Sequence, residues 1–411
     1  MSDTSSARRH SVLIVGAGPA GLSAALALRK HGIDVLVIER RGPDSPRPGS
    51  RAAYLHGQTL RHFEAISPGL GRRVADAGIM WHTKRTLWRG RDIYCQTYPA
   101  PDPEDLPPFT SLPQTRTEDI MLEACIAAGV EFEWDCNIVN ITSDTSGVLA
   151  TDSRGYRWEA DYVLGADGAR SAVRSAIGVS LEGPRTNHEF VVVDLAHTPE
   201  ADTPTERVFH YQNPRLGGRN TLAVPFAGGW RVDLSLNSDD DASTFTTPEG
   251  LSDWIPKVMS REYVDRVTWV STYRFAQQTA TALTDTHRRV LLCGEAAHLF
   301  APFGARGMNS SVPDSISAVS AVELALEHGP RTPRAHAAIE LFERERLDAA
   351  RYNRACADLA LQHMTGASRA IRVKQRIAAS VAIWGRKTGK WLDSAPYGPP
   401  LAARRGKAAA Y

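Results

Sequence analysis

Cysteine is scarce and unpatterned in this chain. The 411 residues hold five, Cys95, Cys125, Cys136, Cys293 and Cys356, odd in number and nowhere spaced C-x-x-C. That spacing excludes a disulfide framework, a zinc site on paired cysteines and a C-x-x-C redox centre, and it fits a reducing cytoplasm. Long apolar runs are missing as well, and none reaches the length needed to span a bilayer. Arg8 and Arg9 precede an apolar stretch in the manner of a secretory signal, but glycines and Pro19 interrupt it and Arg29-Lys30 close it early. An excess of one charge is also lacking. With 48 basic against 46 acidic residues, the formal charge of +2 gives no case for nucleic acid or a membrane surface as partner. There is no internal repeat and no long low-complexity segment. What remains, 42% hydrophobic and 23% charged, is ordinary globular composition on a chain long enough for two or three packed units.

The most informative stretch is 11–39, S-V-L-I-V-G-A-G-P-A-G-L-S-A-A-L-A-L-R-K-H-G-I-D-V-L-V-I-E. The apolar run 12–15 suits a parallel strand covered on both faces. Gly16 permits a tight turn, Gly18 lets backbone approach a pyrophosphate, and Gly21 brings a helix close to the strand. The helix starting near Pro19 turns free N–H groups and its dipole toward phosphates. Glu39, eighteen residues after Gly21, is placed to accept hydrogen bonds from an adenosine ribose. An acid there suits a ribose without a 2′-phosphate, hence FAD or NAD.

Further along, 40–50 reads as a loop, 51–78 as largely helical and 81–98 as exposed antiparallel strands. Prolines fill 99–113, and a helix follows at 116–128. Residues 132–140, 147–151 and 156–158 suggest a small meander, and 162–166 a short buried strand. Between 185 and 280 the runs 189–196, 206–211, 221–225, 230–236 and 266–275 predict an antiparallel sheet. A buried strand at 289–293 leads into a glycine-rich loop and a helix over about 310–327. Residues 336–382 are helix-forming, and the basic tail (Arg404, Arg405, Lys407) reads as an irregular, solvated terminus.

Two further motifs stand in order behind the first: D-Y-V-L-G-A-D-G-A-R-S-A-V-R over 161–174, and R-V-L-L-C-G-E-A-A-H-L-F-A-P-F-G-A-R-G-M-N over 289–309. With the opening βαβ unit, these closely resemble the single-component FAD-dependent aromatic hydroxylases typified by para-hydroxybenzoate hydroxylase. The resemblance covers about 10–180 and 285–330 by motif, and the inserted sheet by position. It implies an α/β chain (α+β overall): a Rossmann-type FAD-binding domain, an inserted antiparallel-sheet substrate domain and a C-terminal helical region. The expected boundaries are 10–180 and 285–335 for the discontinuous FAD domain, 181–284 for the sheet and 336–411 for the C-terminal part. Residues 79–113 are expected on the substrate side.

By that resemblance Gly16, Gly18, Ala20, Gly21, Glu39 and Arg40 hold the ADP half of FAD, and Arg51 contacts its pyrophosphate. Gln114 lies near the ribitol, Asp167 and Gly168 touch the flavin side and the nicotinamide, and Arg174 braces their loop. Gly294 and Glu295 supply the ribitol contact, while Pro302, Gly304, Gly307, Met308 and Asn309 wrap the isoalloxazine. The helix starting near Asn309 points its positive end at the N1–C2=O edge, where reduction places negative charge. Glu295 stands where the family has aspartate. Ala305-Arg306 replace a common Gly-Gln, setting a cation either beside the flavin edge or toward solvent.

The implied reaction follows from the cofactor's chemistry. NADH or NADPH reduces FAD, O2 adds at C4a, and the hydroperoxide passes an electrophilic oxygen to an electron-rich, usually phenolic, aromatic substrate. The site must exclude water and help deprotonate that substrate. No second glycine fingerprint appears, so the resemblance implies transient docking of the nicotinamide cofactor. Homodimers are common in the family. Catalytic and substrate candidates are Pro302 in the loop, His210 or Tyr211, of which one side chain faces inward, and Tyr273 with Phe275 on a shared face. Packing is the ordinary use of such aromatics, and His298 suits a structural hydrogen bond.

Three rival readings remain beside it. A flavin halogenase would need a W-x-W-x-I-P motif, of which 254–256 is only a fragment. An epoxidase or Baeyer–Villiger enzyme acting on a polyketide or other natural product would share the motifs. A non-catalytic FAD-binding interaction protein would rest on the altered 305–320 segment.

Overall fold

A computed structural model describes residues 9–45, 54–201, 203–382 and 384–399. The apolar strand Arg9–Val15 lies in the middle of a largely parallel sheet. Val35–Ile38 and then Glu131–Glu133 flank it on one side, and Arg157–Gly165 with Val290–Leu292 on the other. The run 12–15 at its centre is apolar and buried, with the helix Pro19–Lys30 packed on it. The helix Pro19–Lys30 packs on this sheet beside Arg306–His328 and Gln114–Ala127. The three motifs converge because their strands are neighbours: Arg9–Val15 pairs with Arg157–Gly165, which pairs with Val290–Leu292.

The expected meander is present as Ile138–Ser143, Val148–Asp152 and the first residues of Arg157–Gly165, paired antiparallel in that order, with its bounds changed at both ends. Glu131–Glu133 leaves it to extend the parallel sheet, and the runs at 156–158 and 162–166 form one strand, Arg157–Gly165. Only Ile138–Ser143 and Val148–Asp152 add antiparallel strands to its outer half.

The inserted sheet has seven strands in the order Val267–Ala276, Arg185–Ala196, Gly229–Ser235, Arg219–Phe226, Glu206–Asn213, Thr83–Trp88 and Arg91–Thr97. It is not purely antiparallel. Glu206–Asn213 and Thr83–Trp88 run parallel, which joins the 79–113 segment to the inserted strands. One face carries Val191, Val193, Ala223, Val232 and Leu234, sealed beneath Leu251, Trp254, Ile255 and Tyr263. The alternation of strand side chains turns Phe190, Val192, Asp194, Arg231, Asp233, Leu222 and Phe209 to the other face. That inner face meets the third motif, where Phe303 packs on Phe190 and Phe275 with ring centroids 5.2 and 5.7 Å apart.

The C-terminal part is more ordered than the sequence suggested. A 33-residue helix, Pro333–Thr365, is followed by Arg369–Val381 and Arg386–Ser394 and a 3-10 turn, Ala395–Tyr397. These helices cover the Phe209–Tyr211 end of the inner face.

Candidate functional site

The ends of the motif strands open into one groove. Gly16, Gly18, Ala20, Glu39 and Arg40 line it at one end, Gln114, Asp167 and Gly168 in the middle, and Glu295, Gly307 and Met308 at the other. Gly16 sits at φ +108°, and a β-carbon there would stand 2.4 Å from the Ala166 carbonyl oxygen. At Gly21 it would stand 1.8 Å from the Gly16 oxygen, so Gly21 is a packing residue behind the groove wall. Gly18 and Gly168 have nothing within 4 Å of that position, and their open sides leave room for a ligand to lie against backbone.

Glu39 is almost fully buried. Its Oε2 accepts from the Ala17 N–H at 2.8 Å and its Oε1 from the Arg41 N–H at 3.1 Å. These bonds fix a carboxylate at the mouth of the glycine turn with lone pairs left for a ribose. Asp167 accepts from Ser171 Oγ at 2.5 Å and from the Val173 N–H at 3.1 Å, so it caps the turn that carries Gly168. Burial raises its carboxyl, an effect only partly offset by those bonds. Arg174 ties the second motif to the third through the Ala169 and Ala296 carbonyls, both at 3.0 Å. Gln114 donates to Glu118 at 2.7 Å. Gly294 adopts φ +62°, and its N–H points at Asp314. Arg51 lies outside the described residues.

The flavin loop is held from behind. Asn309 does this with its side chain, which takes the His56 N–H and the Thr59 hydroxyl and gives to the Tyr54 and Ala305 carbonyls. Any contact from Asn309 to a cofactor is therefore left to its backbone. His56 Nε2 donates to the Gly304 carbonyl at 3.2 Å; burial, reinforced by the Arg306 charge, lowers its pKa and keeps it neutral. His298 bonds Asp314 at 2.6 Å, and Arg346 bonds the other oxygen at 2.7 Å, a structural arrangement under the loop. Pro302 accepts the Ala305 N–H and makes the turn.

Arg306 takes neither of its two expected places. It is 1% exposed, and its guanidinium bonds Asn353 Oδ1 and the Tyr397 and Pro399 carbonyls, none of which lines the groove. It fastens the C-terminal turn over Gly304, where a β-carbon would meet the Tyr397 oxygen at 2.4 Å.

On the inserted sheet two candidates are corrected. His210 faces away from the inner side, and its Nε2 accepts the Gly90 N–H; burial pushes its pKa down to about 4. Tyr211 does face inward, but its hydroxyl is taken by His363 at 2.7 Å and the Leu392 carbonyl at 2.8 Å beneath the C-terminal helices. Tyr273 remains on the inner face, half-buried, stacked on Phe275 with Trp269 tilted against its other side.

The sequence reading missed a charged cluster in the middle of that face. Arg231 makes a two-pronged pair with Asp194 at 2.9 Å on each arm and lies over the Trp269 ring. Asp233, two residues on, is nine-tenths buried and its Oδ1 has no hydrogen-bond partner. Burial pushes its carboxyl up to about 7, with Arg231 opposing and Asp194 adding. The signal was available in the alternation of W-R-V-D-L-S over 230–235, which sets charges opposite a buried apolar face.

A carboxyl raised in the folded state destabilises it as pH rises from the unfolded value, about 3.9, through about 7. Asp233→Asn removes that liability. Its thermal midpoint should match or trail wild type in acid and overtake it progressively up to neutral pH. A constant difference across a pH series of melting curves would refute this.

Among the described residues no group of acidic, histidine and cysteine side chains could hold a metal ion, and no helix is long and apolar enough to cross a membrane. The glycine turn, the buried carboxylate and the uncapped start of the helix Arg306–His328 behind its loop are the parts of a flavin nucleotide site. The FAD binding domain family model matches residues 9–353, and the chain belongs to that family.

The relatives it matches include monooxygenases and hydroxylases by name. The 6-methylpretetramide 4-monooxygenase of Streptomyces rimosus is 30% identical over 313 residues, 74% of this chain and 54% of that protein. A 3-(3-hydroxy-phenyl)propionate/3-hydroxycinnamic acid hydroxylase of Mycolicibacterium smegmatis is 28% identical over 74% of this chain and 53% of its own length. The chain thus spans little more than half the length of these two curated relatives. The solved p-nitrophenol 4-monooxygenase PnpA of Pseudomonas putida shares the fold, with TM-score 0.75 over 96% of this chain and all of that one at 22% identity.

Proposed function

We propose that this chain is an FAD-dependent monooxygenase that uses NADH or NADPH and O2 to hydroxylate a phenolic or other electron-rich aromatic compound. The observation that carries it is one junction: the groove for a flavin nucleotide ends at the loop whose Phe303 packs against the half-open, aromatic inner face of the sheet. Bound FAD supplies the reducing-equivalent and oxygen chemistry there. The chain contributes position and field. Glu39, the glycine turn and Asp167 fit the nucleotide and its linker. The start of the helix Arg306–His328 offers unpaired N–H groups to developing negative charge. Leu222, Trp269, Tyr273 and Phe275 give a planar apolar substrate a surface that excludes water. An aromatic natural product in place of a simple phenol is the second reading, favoured by the identity to the 6-methylpretetramide enzyme.

The test is the absorption spectrum of the FAD-loaded protein, followed without oxygen as NADH or NADPH is added beside a panel of phenols and aromatic acids. Faster bleaching with one ligand class supports the reading. Flavin that is never reduced overturns it.

A further inference from the structure

The charged cluster on the inner face is not explained by folding. The strand neighbours of Asp233 on that face are apolar, and a carboxyl at 233 with an unpaired oxygen costs stability that a leucine would not. Its cross-strand neighbours are Val192 and Leu222, neither of which can bond it. Among the described residues the cation acting on it, Arg231, is already committed to Asp194 through two of its nitrogens. On the sheet's other face the same strands are sealed beneath a helix and 3-10 turns. On this face Leu222, Val224, Trp269, Ser271 and Tyr273 stay half-open, and Phe303 of the flavin loop marks their border. An unpaired acceptor in such a place is provision for a donor brought by a ligand.

We propose that Asp233 is the base for the reaction, taking the ring-hydroxyl proton of an aromatic substrate on this face, with Arg231 as the charge beside the resulting phenoxide. The inference rests on the hydroxylase reading and deepens it. The substrate O–H bond breaks and leaves its electron pair on the substrate oxygen, while the proton forms a new O–H bond at Asp233 Oδ1. The summed charge of Asp194, Arg231, Asp233 and substrate does not change. That matters in a dry site, where creating a net charge is expensive. Asp194 is a positioning residue: its two bonds hold the Arg231 guanidinium beside Asp233 and over the Trp269 ring. The other ionisable groups of this face are Tyr273, which acts on Arg231, His188, whose Nε2 lies 2.8 Å from Ser235 Oγ, and, toward the C-terminal helices, Tyr211, Arg207 and Lys84, which are tied to His363 and Asp393. A buried carboxyl near neutrality has the proton affinity a base needs at working pH.

The probe is 3-nitrophenol added to the FAD-loaded protein at near-neutral pH in weak buffer with an indicator dye. The bound probe should show its phenolate band with no proton released to the medium, because the protein keeps it. Asp233→Asn should lose the band and lower hydroxylation of the best panel phenol by about 100-fold or more. Asp233→Glu should recover part of both. Retained FAD and the melting behaviour predicted above confirm that the Asn variant has folded.

A phenolate band that persists in Asp233→Asn, or a proton that appears in the medium, overturns the assignment. So does a site that binds aromatic ammonium ions and no phenol. If phenols accelerate flavin reduction and are hydroxylated by the variant with an unaltered pH profile, Asp233 alone is wrong. If no phenol accelerates reduction in the wild type, the hydroxylase reading falls and takes this inference with it.

Discussion

Gly21→Ala is expected to cost the protein its FAD. By helix propensity alone the change is favourable, since alanine in a helix interior is worth about 1 kcal/mol over glycine. Packing decides otherwise. The added carbon would stand 1.8 Å from the Gly16 carbonyl oxygen and 3.2 Å from the Ile14 side chain. The first contact is with backbone, so relief requires the helix Pro19–Lys30 to retreat from the strand. Retreat withdraws the N–H groups that face the groove and breaks the turn that Glu39 holds through Ala17. A loss of at least about 3 kcal/mol in FAD binding, roughly a hundredfold, follows from that displacement. FAD fluorescence titration measures it.

Gly18→Ala separates the two roles. No atom lies within 4 Å of its β-position, so it should weaken FAD while leaving the melting point of the FAD-free protein unchanged. Gly21→Ala should lower both. Wild-type FAD affinity in Gly21→Ala would refute the argument.

The same contrast shows what the sequence could and could not reveal. The glycine turn and its acid are local: strand, turn, helix and acid all lie within 11–39, and each residue type has one steric or electrostatic reason to be there. The order of the three motifs was legible for the same reason. The inner face was not, because it is made by pairing across distance. Asp194 and Arg231 meet only because Arg185–Ala196 and Gly229–Ser235 pair in one register. Alternation did establish that His210 and Tyr211 face opposite ways. It could not say that the inward one would be sealed by His363, 152 residues later. Arg306 misled for a related reason. An arginine at a helix start next to a cofactor loop invites an electrostatic role, and only the folded C-terminal turn shows carbonyl oxygens waiting for it. The helix Arg386–Ser394 escaped notice because the sequence R-K-T-G-K-W-L-D-S is polar and carries a glycine, features that resemble a solvated tail.

That short helix carries the second large effect. Asp393 is fully buried, and there it meets Arg207 at 2.6 Å, Lys84 at 2.6 Å and the Thr86 hydroxyl at 2.9 Å. Burial alone would raise its carboxyl, but the two cations outweigh burial and hold it below the usual range. Arg207 is itself buried, with its face over the Tyr397 ring. Asp393→Ala would therefore strand a guanidinium and an ammonium group against the inner sheet. Breaking a buried pair by removing one partner typically costs about 3–5 kcal/mol, because the remaining charge is left uncompensated. For a chain whose total stability is on the order of 5–15 kcal/mol, that is a large fraction.

The expected results are a much lower unfolding midpoint and early proteolytic release of the C-terminal helices, which Asp393 pins to the strands Thr83–Trp88 and Glu206–Asn213. Arg207→Met and Lys84→Met combined with Asp393→Leu, which removes all three charges of the cluster, should recover much of the loss, since matched apolar replacement of buried ionic groups is often neutral. The sign in pH is also fixed. A carboxyl depressed in the folded state contributes stability at neutral pH that disappears as pH falls through its folded value, so wild type and Asp393→Ala should converge in acid. If the single variant melts with the wild type at neutral pH, the C-terminal helices are held by their apolar contacts around Leu392 and the ion cluster is incidental.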